Sequence, residues 1–315
     1  MTEMRTNVLE ALAAGGSVEP GLEADALLQA AHDGAGPIDG LVARRLDGEP
    51  LPWITGWARF CDARVFVDPG VFVPRPQTEA LARRAVALLP SDGIAVDLCT
   101  GSGAIAVVLR TERPAATVIA TDLDPVAVAC ARRNGVEALT GDLDEPLPPA
   151  VRGRVDVVTA VVPYVPTEEL HLLPRDVLAH EPVRALDGGP GGRAVLERAA
   201  RVAARWLRPG GTVLLELGGD QADALSATMA DAGLTATHVH RDDEGRDRSI
   251  EARRPDPSSP RAIQPRVVPA SESGSARERS GGTGRPQRGH LPGDQRATRG
   301  GPRGRTLGPL PEDDV

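Results

Sequence analysis

Between residues 93 and 254 the chain alternates short apolar runs with segments of helical periodicity. The apolar runs predict seven strands: Ile94–Asp97, Thr117–Ala120, Val136–Thr140, Val155–Val162, Thr212–Leu217, Ala236–His240 and Arg248–Ala252. The last two of these strands are expected to form an antiparallel pair. The segments between them predict helices, at Ala104–Arg110, Pro125–Asn134, Gly192–Leu207 and Asp220–Ala232. Because strand–helix units of this length repeat, the pattern predicts an α/β fold with a doubly wound parallel sheet.

The first 55 residues are predicted to form a small helical domain. Apolar positions three and four residues apart indicate short helices between Thr6 and Arg45, the third of them over Ile38–Leu46. Three short helices bury little surface, so this domain is expected to need its neighbour for stability.

Residues 56–74 are interpreted as a β-hairpin linker. The runs Arg64–Val67 and Val71–Val73 flank Asp68-Pro69-Gly70, and a Pro-Gly pair between β-branched runs is a strong turn signal. A helix over Thr78–Leu89 is predicted to follow, with Thr78 as its N-cap.

Composition and charge narrow the classes of partner. A formal net charge of -8 argues against nucleic acid, because phosphates require a basic surface. The apolar runs are shorter than the roughly 18 residues of a membrane span, no signal peptide is recognisable, and the cysteines form no CxxC pair, which together predict a cytoplasmic protein. The histidines show no metal-ligand spacing, so no metal site is expected.

Residues 255–315, rich in Arg, Pro and Gly, are predicted to be a disordered tail.

The chemistry of the chain centres on an acidic residue and a glycine loop that follow the first predicted strand. Asp97 ends that strand, and the loop Thr100-Gly101-Ser102-Gly103 lets the backbone approach a ligand closely. Such a loop by itself also fits a dinucleotide. A second acid, Asp122, at the end of the next strand and the segment Val161-Val162-Pro163-Tyr164 further on favour S-adenosylmethionine instead.

Several motifs in a fixed order carry a family resemblance. They are Gly56-Trp57, Phe60, Val67–Pro76 with Thr78-Glu79, Asp97–Ala104, Pro163-Tyr164, Glu181-Pro182, Ala185–Gly189, Pro209-Gly210-Gly211 and Gly245–Arg248. In this order the chain resembles the protein-(glutamine-N5) methyltransferases that modify peptide-chain release factors, over about Ala24 to Arg254. The resemblance implies a Rossmann-like class I methyltransferase domain over residues 75–254, with the small helical domain of residues 1–55 serving substrate recognition. It also implies S-adenosylmethionine as cofactor and a protein substrate.

The same resemblance assigns cofactor-binding roles. The expected contacts of S-adenosylmethionine are Asp97, Cys99, Thr100, Gly101, Ser102, Gly103, Asp122, Asp142, Leu143 and Val161. Asp122 is expected to accept both ribose hydroxyls; its competitor Asp124 is assigned instead to capping the helix that starts at Pro125. Asp142 either accepts from the adenine amino group or is a surface residue in a turn. Cys99 departs from the small residue usual in the family.

The catalytic segment is Val161-Val162-Pro163-Tyr164, where the family pattern is Asn-Pro-Pro-Tyr. An amide nitrogen is a poor nucleophile, and the family Asn with a backbone carbonyl accepts its two N–H groups, which is catalysis by orientation. Here Val161 replaces the Asn, while Pro163 and Tyr164 are retained. The chain is therefore interpreted as a divergent branch. The alternatives are a catalytically impaired homologue that binds cofactor or a partner, and an amino-methyltransferase with another substrate.

Arg75 and Glu79 match a family element beside the cofactor or form an ion pair at a helix start.

Overall fold

The computed structural model of the chain describes residues 2–258. Its main sheet has seven strands in the order β5-β4-β3-β6-β7-β9-β8. The strands are β3 (Ile94–Leu98), β4 (Thr117–Asp122), β5 (Glu137–Thr140), β6 (Val155–Ala160), β7 (Leu207–Glu216), β8 (Thr235–Arg241) and β9 (Asp247–Arg253). β3 to β7 pair in parallel, whereas β9 runs antiparallel to both β7 and β8. The predicted doubly wound α/β sheet and its terminal antiparallel pair are confirmed.

Helices cover both faces of this sheet, as parallel strands require. They are α5 (Glu79–Leu88), α6 (Ala104–Glu112), α7 (Pro125–Arg133), α9 (Ala194–Trp206) and α10 (Ala222–Asp231), while the short helix α8 (Arg175–His180) belongs to the segment between β6 and α9. One core lies under α9 and α10 and the other under α5, α6 and α7. Both are filled mainly by Val, Leu, Ile and Ala, consistent with an aromatic content of only 2%. The order of the strands reverses beside β3, and such switch points hold ligands at the carboxyl ends of the strands.

The N-terminal region is helical, with four helices: α1 (Thr2–Ala14), α2 (Pro20–His32), α3 (Ile38–Leu46) and α4 (Leu51–Thr55). The third has the predicted bounds, and α4 was not predicted because two prolines flank its first residue. These helices share a small apolar core. Trp53 of α4 donates from Nε1 to the Val71 carbonyl at 3.0 Å, which joins this core to the loop before α5. The division into domains at residues 55 and 74 stays a prediction.

The hairpin lies earlier in the chain than predicted. Its strands are β1 (Trp57–Phe60) and β2 (Ala63–Phe66), and its turn residues Cys61 and Asp62 have φ of 47° and 65°. A two-residue turn with both φ positive matches the right-handed twist of paired strands. The predicted strand Val71–Val73 is wrong. The side chains of Val71 and Val73 pack against Trp53 and α7, and burial there does not require strand pairing.

The membrane-span and tail predictions concern the helices and the C-terminal segment of the chain. Within residues 2–258 no helix is both long and apolar enough to cross a membrane. The predicted disordered tail lies outside the described residues from position 259 onward.

Candidate active site

A cavity of about 230 Å³ opens at the carboxyl ends of β3, β4 and β6. Ten of the twelve predicted site residues line it: Asp97, Cys99, Thr100, Gly101, Ser102, Asp122, Asp142, Leu143, Val161 and Pro163. The other two, Gly103 and Tyr164, do not line it. Parallel strands end at the same edge of the sheet, which is why residues up to 66 positions apart meet here.

Asp97 anchors the loop that follows β3. Its side chain is buried, accepting hydrogen bonds from the hydroxyls of Thr100 at 2.6 Å and Thr159 at 2.7 Å. Burial raises the pKa of Asp97 to about 6, and the hydrogen bonds from the two hydroxyls oppose this rise. The carboxyl therefore ties the start of the loop to the neighbouring strand β6.

This burial predicts a pH effect on stability. Because the unfolded pKa of an aspartate is about 3.9, the folded protein holds more protons between about pH 4 and about pH 6, so the free energy of unfolding falls as pH rises through that window. At about 1.4 kcal/mol per pKa unit, the Asp97 contribution falls by up to about 3 kcal/mol. We expect Asp97→Asn to remove this fall. Urea unfolding of both proteins across the window measures it, and a pH-independent difference between them would contradict the prediction.

Every second residue of the loop has a positive φ: Cys99 at 54°, Gly101 at 56° and Gly103 at 83°. A Cβ on Gly101 would meet no atom within 4 Å, whereas one on Gly103 would lie 3.1 Å from the Cβ of Ala131. Gly103 is thus needed for packing of the loop against α7. Cys99 adopts the left-handed conformation without being glycine, which carries backbone strain. Burial raises the pKa of its thiol, so the thiol stays neutral.

Asp122 supports the same loop from β4. Its Oδ2 accepts from the backbone N–H of Gly101 at 2.8 Å, and its Oδ1 accepts from that of Asp124 at 2.9 Å. Burial raises the pKa of the Asp122 carboxyl. Asp124 accepts from the N–H of Val126 at 2.9 Å, so its predicted role as the cap of α7 is confirmed. Each Asp122 oxygen keeps lone-pair capacity for a further donor.

Asp142 and Leu143 follow β5 and differ in environment. The Oδ2 of Asp142 accepts from Arg198 of α9 at 2.7 Å, so a turn residue is tied to a helix. Leu143 has φ of 51° and is buried in the core beneath the sheet. Both line the cavity, Leu143 as an apolar surface and Asp142 as an acceptor already paired with a cation.

The segment Val161–Tyr164 leaves β6 at the opposite wall. Val161 is partly exposed and lines the cavity, whereas Val162 is buried. The Tyr164 hydroxyl donates to Glu216 at 3.0 Å, and its carbonyl accepts from the Gln221 amide at 2.8 Å. Tyr164 therefore supports the segment from behind.

Three glycines that packing requires close around Tyr164. A Cβ on Gly192 would lie 2.1 Å from the Tyr164 carbonyl oxygen, and one on Gly188 would lie 2.8 Å from its Cα. A Cβ on Gly218 would lie 2.8 Å from the ring. Sequence reasoning assigned these glycines no role. The only available signal was their clustering in motifs of small residues, which does not reveal the partner.

The alternative of an ion pair between Arg75 and Glu79 is wrong. Arg75 lines the cavity and pairs with the buried Glu181 at 2.5 Å, and its guanidinium stacks on Phe72 at 4.7 Å from the ring centroid. Glu79 pairs instead with Arg83, four residues along α5. A buried carboxylate is costly unless paired, so Glu181 takes the arginine.

The predicted N-cap role of Thr78 is also wrong. Thr78 has helical backbone angles, and its hydroxyl donates to Glu216 at 2.6 Å rather than accepting from the first turn of α5. Among residues 2–258, leaving aside the side chains of positions 175 and 176, there is no group of three or more His, Cys, Asp or Glu side chains able to hold a metal ion.

The sheet order and the acid–glycine site at its switch point define a class I methyltransferase. No protein-family model matches the chain. The release factor glutamine methyltransferase of Mycolicibacterium smegmatis is 39% identical over 281 residues, covering 81% of this chain and 99% of that protein. That of Geobacter sulfurreducens is 36% identical over 220 residues, covering 68% and 76%. The chain belongs to the release factor glutamine methyltransferase family, and the resemblance drawn from the motifs is confirmed.

The chain is also similar to a methyltransferase with a different named substrate and to a solved methyltransferase structure. A 4-amino-L-phenylalanine/4-methylamino-L-phenylalanine methyltransferase of Streptomyces pristinaespiralis is 38% identical over 203 residues, covering 61% of this chain and 69% of that protein. A solved release factor-specific protein-(glutamine-N5) methyltransferase from Alicyclobacillus acidocaldarius is 26% identical with a TM-score of 0.37, covering 58% of this chain and 94% of that one. The family assignment rests on the sequence identities.

Proposed function

We propose that the chain transfers the methyl group of S-adenosylmethionine to a side-chain amide nitrogen of a glutamine in a peptide-chain release factor. The observation that carries this is the 39% identity to a release factor glutamine methyltransferase along 99% of that protein. The cavity at the carboxyl ends of β3, β4 and β6 supports it, since the motif residues lie around one space. A cytoplasmic location and the absence of a nucleic-acid substrate stay predictions.

The residues on the β3 and β4 side fit this cofactor. Gly101 borders open space, so its backbone is free to approach a ligand. Asp122 is a half-buried carboxylate with a raised pKa, and hydroxyl donors such as those of a ribose would stabilise its charged form. Leu143 offers an apolar surface for a base. When bound, S-adenosylmethionine supplies an electrophilic methyl group on a sulfonium.

On the acceptor side the chain works by orientation. The lone pair of an amide nitrogen is delocalised into its carbonyl, so acceptors must hold both N–H groups to aim that nitrogen. Backbone carbonyls of the segment Val161–Tyr164 remain for this, held in place by Gln221 and Glu216 behind Tyr164. The Val161 side chain contributes no acceptor. A glutamine amide would therefore be held by fewer contacts than in the family pattern.

The apolar side chain of Val161 favours a second candidate function, methylation of an amine. An amine nitrogen is not delocalised into a carbonyl, so it does not need two preorganised acceptors. Val161 and Phe72 give the acceptor side apolar lining, and the relative in Streptomyces pristinaespiralis is named for an aromatic amine substrate. A third candidate is a homologue that binds cofactor without turnover.

The test is a methyl-transfer assay with the purified full-length chain. Labelled S-adenosylmethionine is supplied with either a release factor from the same cells or 4-amino-L-phenylalanine. We expect label on the release factor, located by peptide mass spectrometry on a glutamine and absent after that glutamine is changed to alanine. Label only on the amine would support the second candidate. Cofactor binding without transfer to either acceptor would support the third.

A further inference from the structure

Glu216 is a buried carboxylate for which the proposed chemistry has no direct use. It ends β7, is 3% exposed and is absent from the cavity lining. Its Oε2 accepts from the Thr78 hydroxyl at 2.6 Å and its Oε1 accepts from the Tyr164 hydroxyl at 3.0 Å. Each carboxylate oxygen thus holds a hydroxyl from a different segment.

Those segments form two parts of the cavity wall. Thr78 lines the cavity itself and ends the turn Pro76–Thr78 that follows Arg75. Tyr164 follows Pro163, which lines the cavity beyond β6. Glu216 is therefore the one side chain that hydrogen-bonds to both segments through their side chains among the bonds described for residues 2–258.

Glu216 is buried, so the hydroxyl contacts offset the cost of removing its charge from water. Burial raises the pKa of its carboxyl, and the hydroxyls of Thr78 and Tyr164 oppose that rise together with the charges of Arg248 and Arg75. A buried carboxylate left without such donors would carry a large desolvation cost. The bonds are consequently kept, and they fix the separation of the two segments.

We propose that Glu216 is a positioning residue that holds the Thr78 and Tyr164 segments in the register that aims the acceptor nitrogen at the methyl group. The rate part of this inference rests on the proposed methyl transfer. Cofactor-side residues such as Asp122 and Gly101 have no hydrogen bond to Glu216 in the described part of the chain. A change at Glu216 should therefore affect kcat rather than cofactor affinity.

The test uses Glu216→Gln in the full-length protein, with Glu251→Gln as a matched control. Glu251 is also a buried carboxylate of the same sheet, but its partners are Arg84 and His240 and it does not line the cavity. We expect Glu216→Gln to lower kcat about 10- to 100-fold because the acceptor is misplaced, with the Kd for S-adenosylmethionine changed less than about 2-fold. The control should leave both unchanged.

A spectroscopic readout separates this inference from the proposed function. Tyr164 is the only tyrosine of the chain, so fluorotyrosine incorporation gives a single fluorine NMR resonance from this site. Glu216→Gln should shift that resonance and Glu251→Gln should not. An unshifted resonance, or a shifted one with unchanged kcat, would overturn the positioning role. A wild-type protein that methylates no release factor contradicts the proposed function, while the resonance still decides the Glu216 contact.

A second pair of variants guards against loss of folding. Thr78→Ser keeps the hydroxyl that donates to Glu216, whereas Thr78→Val removes it at nearly constant volume. We expect the serine variant to keep wild-type kcat and the valine variant to lose about as much as Glu216→Gln. Equal activity of the two would show that the hydroxyl has no positioning role.

Discussion

We expect Val161→Asn to raise the rate of glutamine methylation by about 100-fold, because one preorganised polar contact to the reacting group is typically worth that much. Val161 lines the cavity where the family pattern has Asn, so the new amide oxygen is available to accept one N–H of the acceptor. The gain should appear in kcat with a release factor, since the contact acts on orientation. Initial rates of labelled methyl transfer measure it.

Val161→Leu is the matched control for this change. It also alters the side chain that lines the cavity but adds no acceptor, so it should give no gain. If Val161→Asn methylates 4-amino-L-phenylalanine less well while gaining on the release factor, the side chain at position 161 sets acceptor choice. If the asparagine variant gains nothing and neither protein turns over, methyl transfer to glutamine is contradicted.

The second large effect is expected at Asp122. Asp122→Ala should weaken S-adenosylmethionine binding about 100- to 20,000-fold, because hydrogen bonds to a carboxylate contribute about 1.5 to 3 kcal/mol each and a ribose offers two hydroxyls. The variant also removes the acceptor of the Gly101 N–H, which loosens the loop that faces the cavity. Isothermal titration calorimetry with the purified protein measures the change in Kd.

Asp124→Ala provides the comparison, since Asp124 lies two residues away and also lines the cavity. Its carboxylate caps α7, so its loss should cost about 1 kcal/mol of stability with little change in cofactor affinity. Thermal unfolding in the absence of ligand measures that cost. Weaker binding by Asp124→Ala than by Asp122→Ala would reverse the assignment of the two carboxylates.

Local patterns accounted for the parts of the fold that were predicted correctly. The strands, the order of helices and strands, and the Asp124 cap each depend on residues a few positions apart, which periodicity and capping rules read directly. The hairpin was predicted in the wrong segment because a Pro-Gly turn signal does not reveal what its flanking apolar residues pack against. Val71 and Val73 pack on Trp53 and α7, from distant parts of the chain.

For the site, the sequence by itself determined which residues end the strands and thus which of them surround one cavity. Only the tertiary structure decided their partners. Thr78 meets Glu216 across 138 positions, and Arg75 meets Glu181 across 106, replacing the cap and the ion pair expected from nearby residues. Such pairings depend on the crossing order of the strands and on the cost of burying an unpaired carboxylate, neither of which appears in a local pattern.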